Sequence, residues 1–304
     1  MAPGGYAWWY VDALSDDGRH GLTLIAFVGS VFSPYYAFRR RQGRGRADPY
    51  RHCALNVALY GIRGPAWACT ERDRSALDRT ASTLSIGPSA LEWDGDGLTI
   101  GLDEVTAPLP RRLRGTVRVR PLAVSGQTFE LDGAGRHRWS PISPCARVEV
   151  DLREPGLRWS GHGYLDTNDG DEPLEAAFAD WHWSRATLRD GTAVLYDVSR
   201  RGGERAAVAL RFDRAGGVLD EEPPPAAPMR QSLWRIRRET RADGADAPEI
   251  TRTFEDGPFY ARSVLRSSLF SEPVVAVHES LSLDRFASPW VQAMLPFRMP
   301  RTPW

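Results

Sequence analysis

Alternation of apolar and polar residues over short runs, each closed by Gly, Pro or Asp, is the feature of this sequence that most narrows its fold. Such runs recur at residues 22–31, 54–59, 98–102, 115–120, 147–152, 193–198, 206–212, 233–239, 250–254 and 274–281. Turn signals such as Asp16-Asp17-Gly18, Asp94-Gly95-Asp96-Gly97, Asp190-Gly191 and Ala215-Gly216-Gly217 separate them. A period of two sends successive side chains to opposite faces of a strand. Many evenly spaced strands with hairpin turns predict a mostly β protein built as an antiparallel sandwich or closed barrel, because closure removes exposed sheet edges. Helical periodicity is confined to one short candidate at 172–179.

The chain also resembles itself. Trp8-Trp9-Tyr10-Val11-Asp12-Ala13-Leu14-Ser15-Asp16-Asp17-Gly18 aligns without a gap on Trp181-His182-Trp183-Ser184-Arg185-Ala186-Thr187-Leu188-Arg189-Asp190-Gly191, 173 residues further on. Both stretches lead through a turn into a β-rich run, which predicts two related β-domains. The seam is expected near 141–158, giving domains 1–150 and 151–304, with the Pro-rich stretch 222–228 a loop inside the second.

Composition removes several function classes. The 39 basic and 39 acidic residues cancel, so no global field draws the surface to nucleic acid. Every basic residue is Arg, which reads as a compositional bias rather than a binding device. Cys53, Cys69 and Cys145 are odd in number and lack CxxC spacing, so they are expected as small buried hydrophobes in a reducing cytoplasm. No charged-then-apolar leader opens the sequence, and its apolar runs fall short of the ~20 residues that span a bilayer. Dinucleotide, phosphate-loop, HExxH and GxSxG signatures are missing, and the six histidines show no metal-ligand spacing, so neither cofactor nor metal is expected.

Two stretches carry an acid–base kit. In Arg136-His137-Arg138-Trp139-Ser140-Pro141, alternation puts His137 and Trp139 on one face; in Gly161-His162-Gly163-Tyr164-Leu165-Asp166 it aligns His162, Tyr164 and Asp166. An imidazole, a phenol, a carboxyl and an indole on one wall can move protons without a nucleophile or cofactor. Each has a plainer reading. Asp166 precedes Thr167-Asn168-Asp169-Gly170 and could cap a turn, His137 and Tyr164 could be satisfied core polar groups, and Trp139 could be simple packing.

The segments Gly5-Tyr6-Ala7-Trp8-Trp9-Tyr10-Val11-Asp12-Ala13, Ala26-Phe27-Val28-Gly29-Ser30-Val31-Phe32-Ser33-Pro34-Tyr35-Tyr36 and His52-Cys53-Ala54-Leu55-Asn56-Val57-Ala58-Leu59-Tyr60 resemble the carotenoid 1,2-hydratases, or hydroxyneurosporene synthases. The likeness continues through His137-Arg138-Trp139-Ser140-Pro141, Gly163-Tyr164-Leu165-Asp166 and Asp180-Trp181-His182-Trp183-Ser184-Arg185, covering essentially the whole chain. The resemblance implies two lipocalin-like β-domains and hydration of the terminal C1=C2 bond of an acyclic carotenoid such as neurosporene or lycopene. It also implies that Asp166, His137, Tyr164 and Trp139 occupy catalytic positions.

Adding water to a trisubstituted alkene needs a strong acid at the less substituted carbon, then capture of the tertiary cation by water. Asp166 is the expected donor, held by Tyr164 and His137, which also position the water, with Trp139 against the cation. Trp8, Trp9, Tyr35, Tyr36, Trp181 and Trp183 are candidate walls of a polyene tunnel, alongside Tyr10, Phe259 and Tyr260, and His162 and His182 are secondary acid–base candidates. An insoluble C40 substrate implies peripheral contact with the inner photosynthetic membrane from the cytoplasmic side, with the apolar segment 286–300 either docking there or closing the second barrel. A terpenoid cyclase using the same acid, and a non-catalytic carrier of apolar ligands, are the competing readings.

Overall fold

Period-two alternation resolves into 21 strands in a computed structural model that describes residues 1–61, 64–244 and 247–302. The chain divides into two units, one of Met1–Pro173 with the residues from Gln292 onward, the other of Leu174–Val291.

In the first unit the strands are β1 (Tyr6–Ser15), β2 (Gly21–Val28), β3 (Cys53–Tyr60), β4 (Ala66–Arg72), β5 (Leu77–Arg79), β6 (Thr83–Ile86), β7 (Ser89–Trp93), β8 (Leu98–Val105), β9 (Arg112–Pro121), β10 (Phe129–Glu130), β11 (His137–Glu154) and β12 (Leu157–Gly170). They pair antiparallel in the order β4-β3-β2-β1-β12-β11-β9-β8-β7-β6-β5, with β10 on β11, and the sheet curls until β3 and β4 approach β6 and β8, nearly closing. One set of alternate residues fills the apolar interior: Val11, Leu24, Val57, Val117, Val148 and Leu165 are among its members. The other set on the central strands is also buried but polar and aromatic: Tyr6, Trp8, Tyr10 and Asp12 on β1, Tyr164, Asp166 and Asn168 on β12, His137 and Trp139 on β11. A strand with one solvated face would carry exposed residues there, so the central strands are buried on both faces, one apolar and one polar and aromatic.

The second unit holds β13 (Phe178–Leu188), β14 (Gly191–Arg200), β15 (Arg205–Asp213), β16 (Val218–Asp220), β17 (Ala226–Met229), β18 (Arg238–Arg241), β19 (Glu249–Asp256), β20 (Tyr260–Leu269) and β21 (Glu272–Ser282). Its main sheet runs β16-β15-β14-β13-β21-β20-β19, and β17–β18 form a separate hairpin. Each unit places its opening strand between its second strand and its last: β1 between β2 and β12, β13 between β14 and β21. The segments aligned in the sequence are those opening strands, so the repeat in sequence is matched by a repeat in strand order.

Four expectations need correction. The boundary falls after Pro173, not near 150, because residues 141–158 belong to the long antiparallel pair β11–β12, which no seam can cut without breaking its hydrogen bonds. Of residues 233–239 only Arg238 and Glu239 are in a strand, the start of β18; Leu233 and Trp234 form a turn, with Leu233 91% exposed. Segment 286–300 contributes no strand: after β21 the chain forms α3 (Leu283–Ala287) and α4 (Pro289–Met294), and from Gln292 it packs in the first unit, where Trp67 Nε1 donates to the Arg298 carbonyl at 3.2 Å. The candidate at 172–179 shrinks to a single turn, α2 (Leu174–Ala177), while the longest helix, α1 (Pro34–Gln42), went unread. Its signal was present: Ser33 Oγ accepts the Tyr35 and Tyr36 amides and Pro34 opens the first turn. All three cysteines are buried thiols, and burial pushes Cys53 up to about 12.

Candidate active site

The buried polar face converges on one carboxyl. Asp166 sits on β12 opposite Tyr10 of β1 and Pro141 of β11 and is 3% exposed. Two residues back on the same face, the Tyr164 hydroxyl donates to Asp166 Oδ2 at 2.7 Å. From β11, the Trp139 indole N–H donates to the same oxygen at 2.9 Å and lies 3.2 Å from the Tyr164 oxygen. Phe129 packs on the Trp139 ring at 5.3 Å and Tyr10 meets Tyr164 edge-on at 6.2 Å. A phenol and an indole are neutral donors, and both point at Oδ2; Oδ1, the other oxygen, is also buried.

His137 begins β11 opposite Gly170, four residues along β12 from Asp166, and is fully buried. Its Nδ1 lies 2.9 Å from the Tyr6 hydroxyl, its Nε2 faces Glu172 Oε1 at 3.5 Å, and its backbone N–H donates to Asp132 Oδ1 at 2.9 Å. Burial holds the imidazole below its ordinary value, with Asp132 and Glu172 partly opposing. A neutral imidazole carries one proton. A carboxylate can only accept, so Nε2 facing Glu172 takes that proton and Nδ1 accepts the Tyr6 O–H. Gly170 makes the pairing possible: a Cβ there would come within 2.4 Å of Tyr6 Cε1 and 2.9 Å of His137 Nδ1, so the tyrosine ring crosses β12 over a residue that must have no side chain.

Against known proteins, the profile of the carotenoid hydratase CrtC matches residues 24–304. The chain belongs to the carotenoid hydratase family. Among members, the acyclic carotenoid 1,2-hydratase of Thiocapsa roseopersicina is 58% identical over 99% of this chain and 74% of its own length, and that of Rubrivivax gelatinosus 54% over the same shares. In fold, a Nitrosomonas europaea protein described as an AttH matches with a TM-score of 0.62 at 16% identity, covering 91% of this chain and 92% of that one.

Of the four residues to which the family resemblance points, three form one hydrogen-bonded cluster: Asp166, Tyr164 and Trp139. Trp139 approaches through its N–H, not only its ring, and the hydrogen bond of His137 Nδ1 goes to Tyr6 where the sequence suggested Asp166. Trp8 shares the face, stacked on Tyr6 at 4.9 Å. Trp9, one residue on, points the other way into the apolar core under the Arg79 guanidinium, as alternation requires. His162 is exposed within β12, opposite Leu14 near the end of β1 and Arg147 of β11. Tyr36 is tied into the scaffold by its hydroxyl bond to the Gly5 carbonyl at 2.7 Å, and Tyr35 lines a groove beside α1. Trp181, His182 and Trp183 belong to the second unit; Trp181 packs on Tyr196 and His182 Nδ1 bonds Ser280 Oγ at 2.9 Å. Tyr6, Asp132, Gly170 and Glu172 were not singled out as site residues, because what joins them is the register Tyr6–Gly170–His137 across three strands far apart in sequence.

Proposed function

We propose that this protein hydrates the terminal C1=C2 bond of acyclic carotenoids, neurosporene and lycopene being the reference substrates, as a hydro-lyase working in the direction of addition. The reading rests on one observation: a buried carboxyl whose Oδ2 receives a phenol O–H and an indole N–H. Neutral donors steady a carboxyl without a formal positive charge to fix it as an anion, and with both on Oδ2 a transferable proton belongs on Oδ1. Asp166 gives that proton to C2, the C1=C2 electron pair forms the new C–H bond, and the tertiary cation is left at C1. A water oxygen bonds to C1 and its surplus proton passes to the Tyr6 oxygen as Tyr6 passes its own to His137 Nδ1. Exchange with solvent then restores Asp166 and His137. Acid–base help of this kind contributes typically ~10²–10⁴-fold, and the rings around Asp166 give the cation aromatic faces.

The low aqueous solubility expected of a C40 hydrocarbon substrate supports work at the surface of the photosynthetic membrane. Among the described residues no helix is long and apolar enough to cross one. The test is incubation of the purified chain with lycopene in oxygen-18 water: a labelled tertiary alcohol is expected, and its loss in Asp166→Asn. An unlabelled isomer would mean cyclisation, recovered lycopene a carrier, and an active Asp166→Asn variant would remove the proposed donor.

A further inference from the structure

Net neutrality conceals a local excess of positive charge. Among the described residues many arginines meet an acid, as Arg138 meets Asp169 and Asp171, and Arg241 meets Asp197. The stretch Phe38-Arg39-Arg40-Arg41-Gln42-Gly43-Arg44-Gly45-Arg46 is different. Helix α1 seats Tyr36, Ala37 and Arg40 inward and turns Phe38, Arg39 and Arg41 outward, and Arg44 and Arg46 follow exposed in the next loop. None of Arg39, Arg41, Arg44 and Arg46 has a carboxylate in ion-pair range among the described residues. Four uncompensated guanidiniums thus lie within eight residues.

An apolar rim accompanies them. Between α1 and the segment after Gln292 runs a groove of about 500 Å³, walled by Tyr35, Phe38 and Pro296 with Arg39, Arg41 and Arg301. Phe38 is 53% exposed, Met294 42% and Phe297, next to Pro296, 74%. A solvated surface gains nothing from displaying two phenylalanines and a methionine beside unpaired cations. A bilayer interface uses both, since apolar side chains enter the headgroup boundary while each nearby Arg gains roughly 1 kcal/mol from an anionic leaflet.

We propose that the outer face of α1, the loop 43–46 and residues 294–297 form the docking surface of this protein for a bilayer containing anionic phospholipid. A nucleic acid would meet the charge but not the exposed phenylalanines, which is why lipid is the favoured occupant. The surface explains how a protein working on a hydrocarbon reaches it, and that part rests on the function proposed above; lipid binding itself does not.

Sedimentation of the full chain with vesicles tests it, using phosphatidylcholine alone and phosphatidylcholine mixed with phosphatidylglycerol. Binding to the mixed vesicles, reversed by salt, is expected. The triple variant Arg39→Gln, Arg41→Gln, Arg44→Gln should lower that binding about a hundredfold, three arginines at roughly 1 kcal/mol each. Phe38→Ser with Phe297→Ser should lower it about tenfold or more. Equal binding of the wild type to both vesicles, no binding to either, or a triple variant that binds like wild type would overturn the proposal. Hydration separates this result from the catalytic reading. Both variants should act normally on lycopene in detergent micelles and slowly on lycopene in anionic vesicles, whereas a wild type inactive on both substrates would count against the chemistry and leave the vesicle-binding result to stand by itself.

Discussion

The two units answer the same structural position in opposite ways. Tyr10 and Trp183 are matched in the sequence repeat, and each stands opposite a carboxyl across the pair formed by the first and last strands of its unit's main sheet: Asp166 opposite Tyr10, Glu279 opposite Trp183. In the second unit the neighbouring strand sets Arg262 opposite Glu279, and the fully buried guanidinium is ion-paired with it. In the first unit the residue at that place is Pro141, which has no donor, and Oδ2 of Asp166 is held by Tyr164 and Trp139. A guanidinium brings a full positive charge that favours the carboxylate anion; a phenol and an indole bring hydrogen bonds without that charge. One architecture therefore yields a structural ion pair in one copy and a candidate acid in the other.

Crossed substitutions break or sharpen this contrast. The largest effect is expected from Asp166→Asn, with hydration falling by about 10³-fold or more while the melting temperature stays near that of the wild type. Its counterpart, Glu279→Gln, should do the reverse, costing about 3 kcal/mol in denaturant unfolding by leaving Arg262 buried with its charge uncompensated. If both variants lose the same property, the two positions do not differ as argued. A smaller effect, about ten- to a hundredfold in rate, is expected of Pro141→Arg, which imports the second unit's cation beside Asp166. Measured beside it, thermal unfolding distinguishes a neutralised acid from a damaged sheet. Gly170→Ala should cost roughly tenfold by pushing Tyr6 from His137 with both groups still present, and the acidic limb of the pH–rate profile should move with it.

The smallest effect is on pH stability. In the second unit His182 and His278 share Ser280 Oγ at 2.9 Å each, and His278 Nδ1 lies 2.8 Å from Ser184 Oγ. Burial lowers both imidazoles below 6.5, His278 well below. Each binds a proton less readily folded than unfolded, so their stabilisation is complete above about pH 6.5 and is lost as the pH falls through that region. Melting temperatures should drop on acidification, less steeply in His278→Gln; an unchanged slope would mean that these imidazoles do not set the acid limit.

Much of this was legible in the residues. Alternation revealed the β class, the Trp-rich repeat revealed that two opening strands are alike, and alternation again aligned Tyr164 with Asp166 and His137 with Trp139. The same rule predicted that His162 would join them, and its exposure, two residues before the buried Tyr164 on β12, overrules it, because alternation tells which face a side chain takes and not how far the buried part of that face extends. The chain-wide balance of charge gave no hint of the basic stretch 39–46, because a surface field depends on which charges lack local partners.

What the sequence alone determined is therefore local: strand faces, turns, a capped helix at Ser33 and the chemical kit of the site. Only the tertiary structure decided the pairings, Tyr6 over Gly170 to His137, Trp139 onto Asp166, and Arg262 rather than Pro141 beside the matched carboxyl. The reason is physical. Covalent neighbours and strand period act over a few residues, whereas register brings together groups more than a hundred positions apart, and a carboxyl's readiness to give up a proton depends on what register puts next to it.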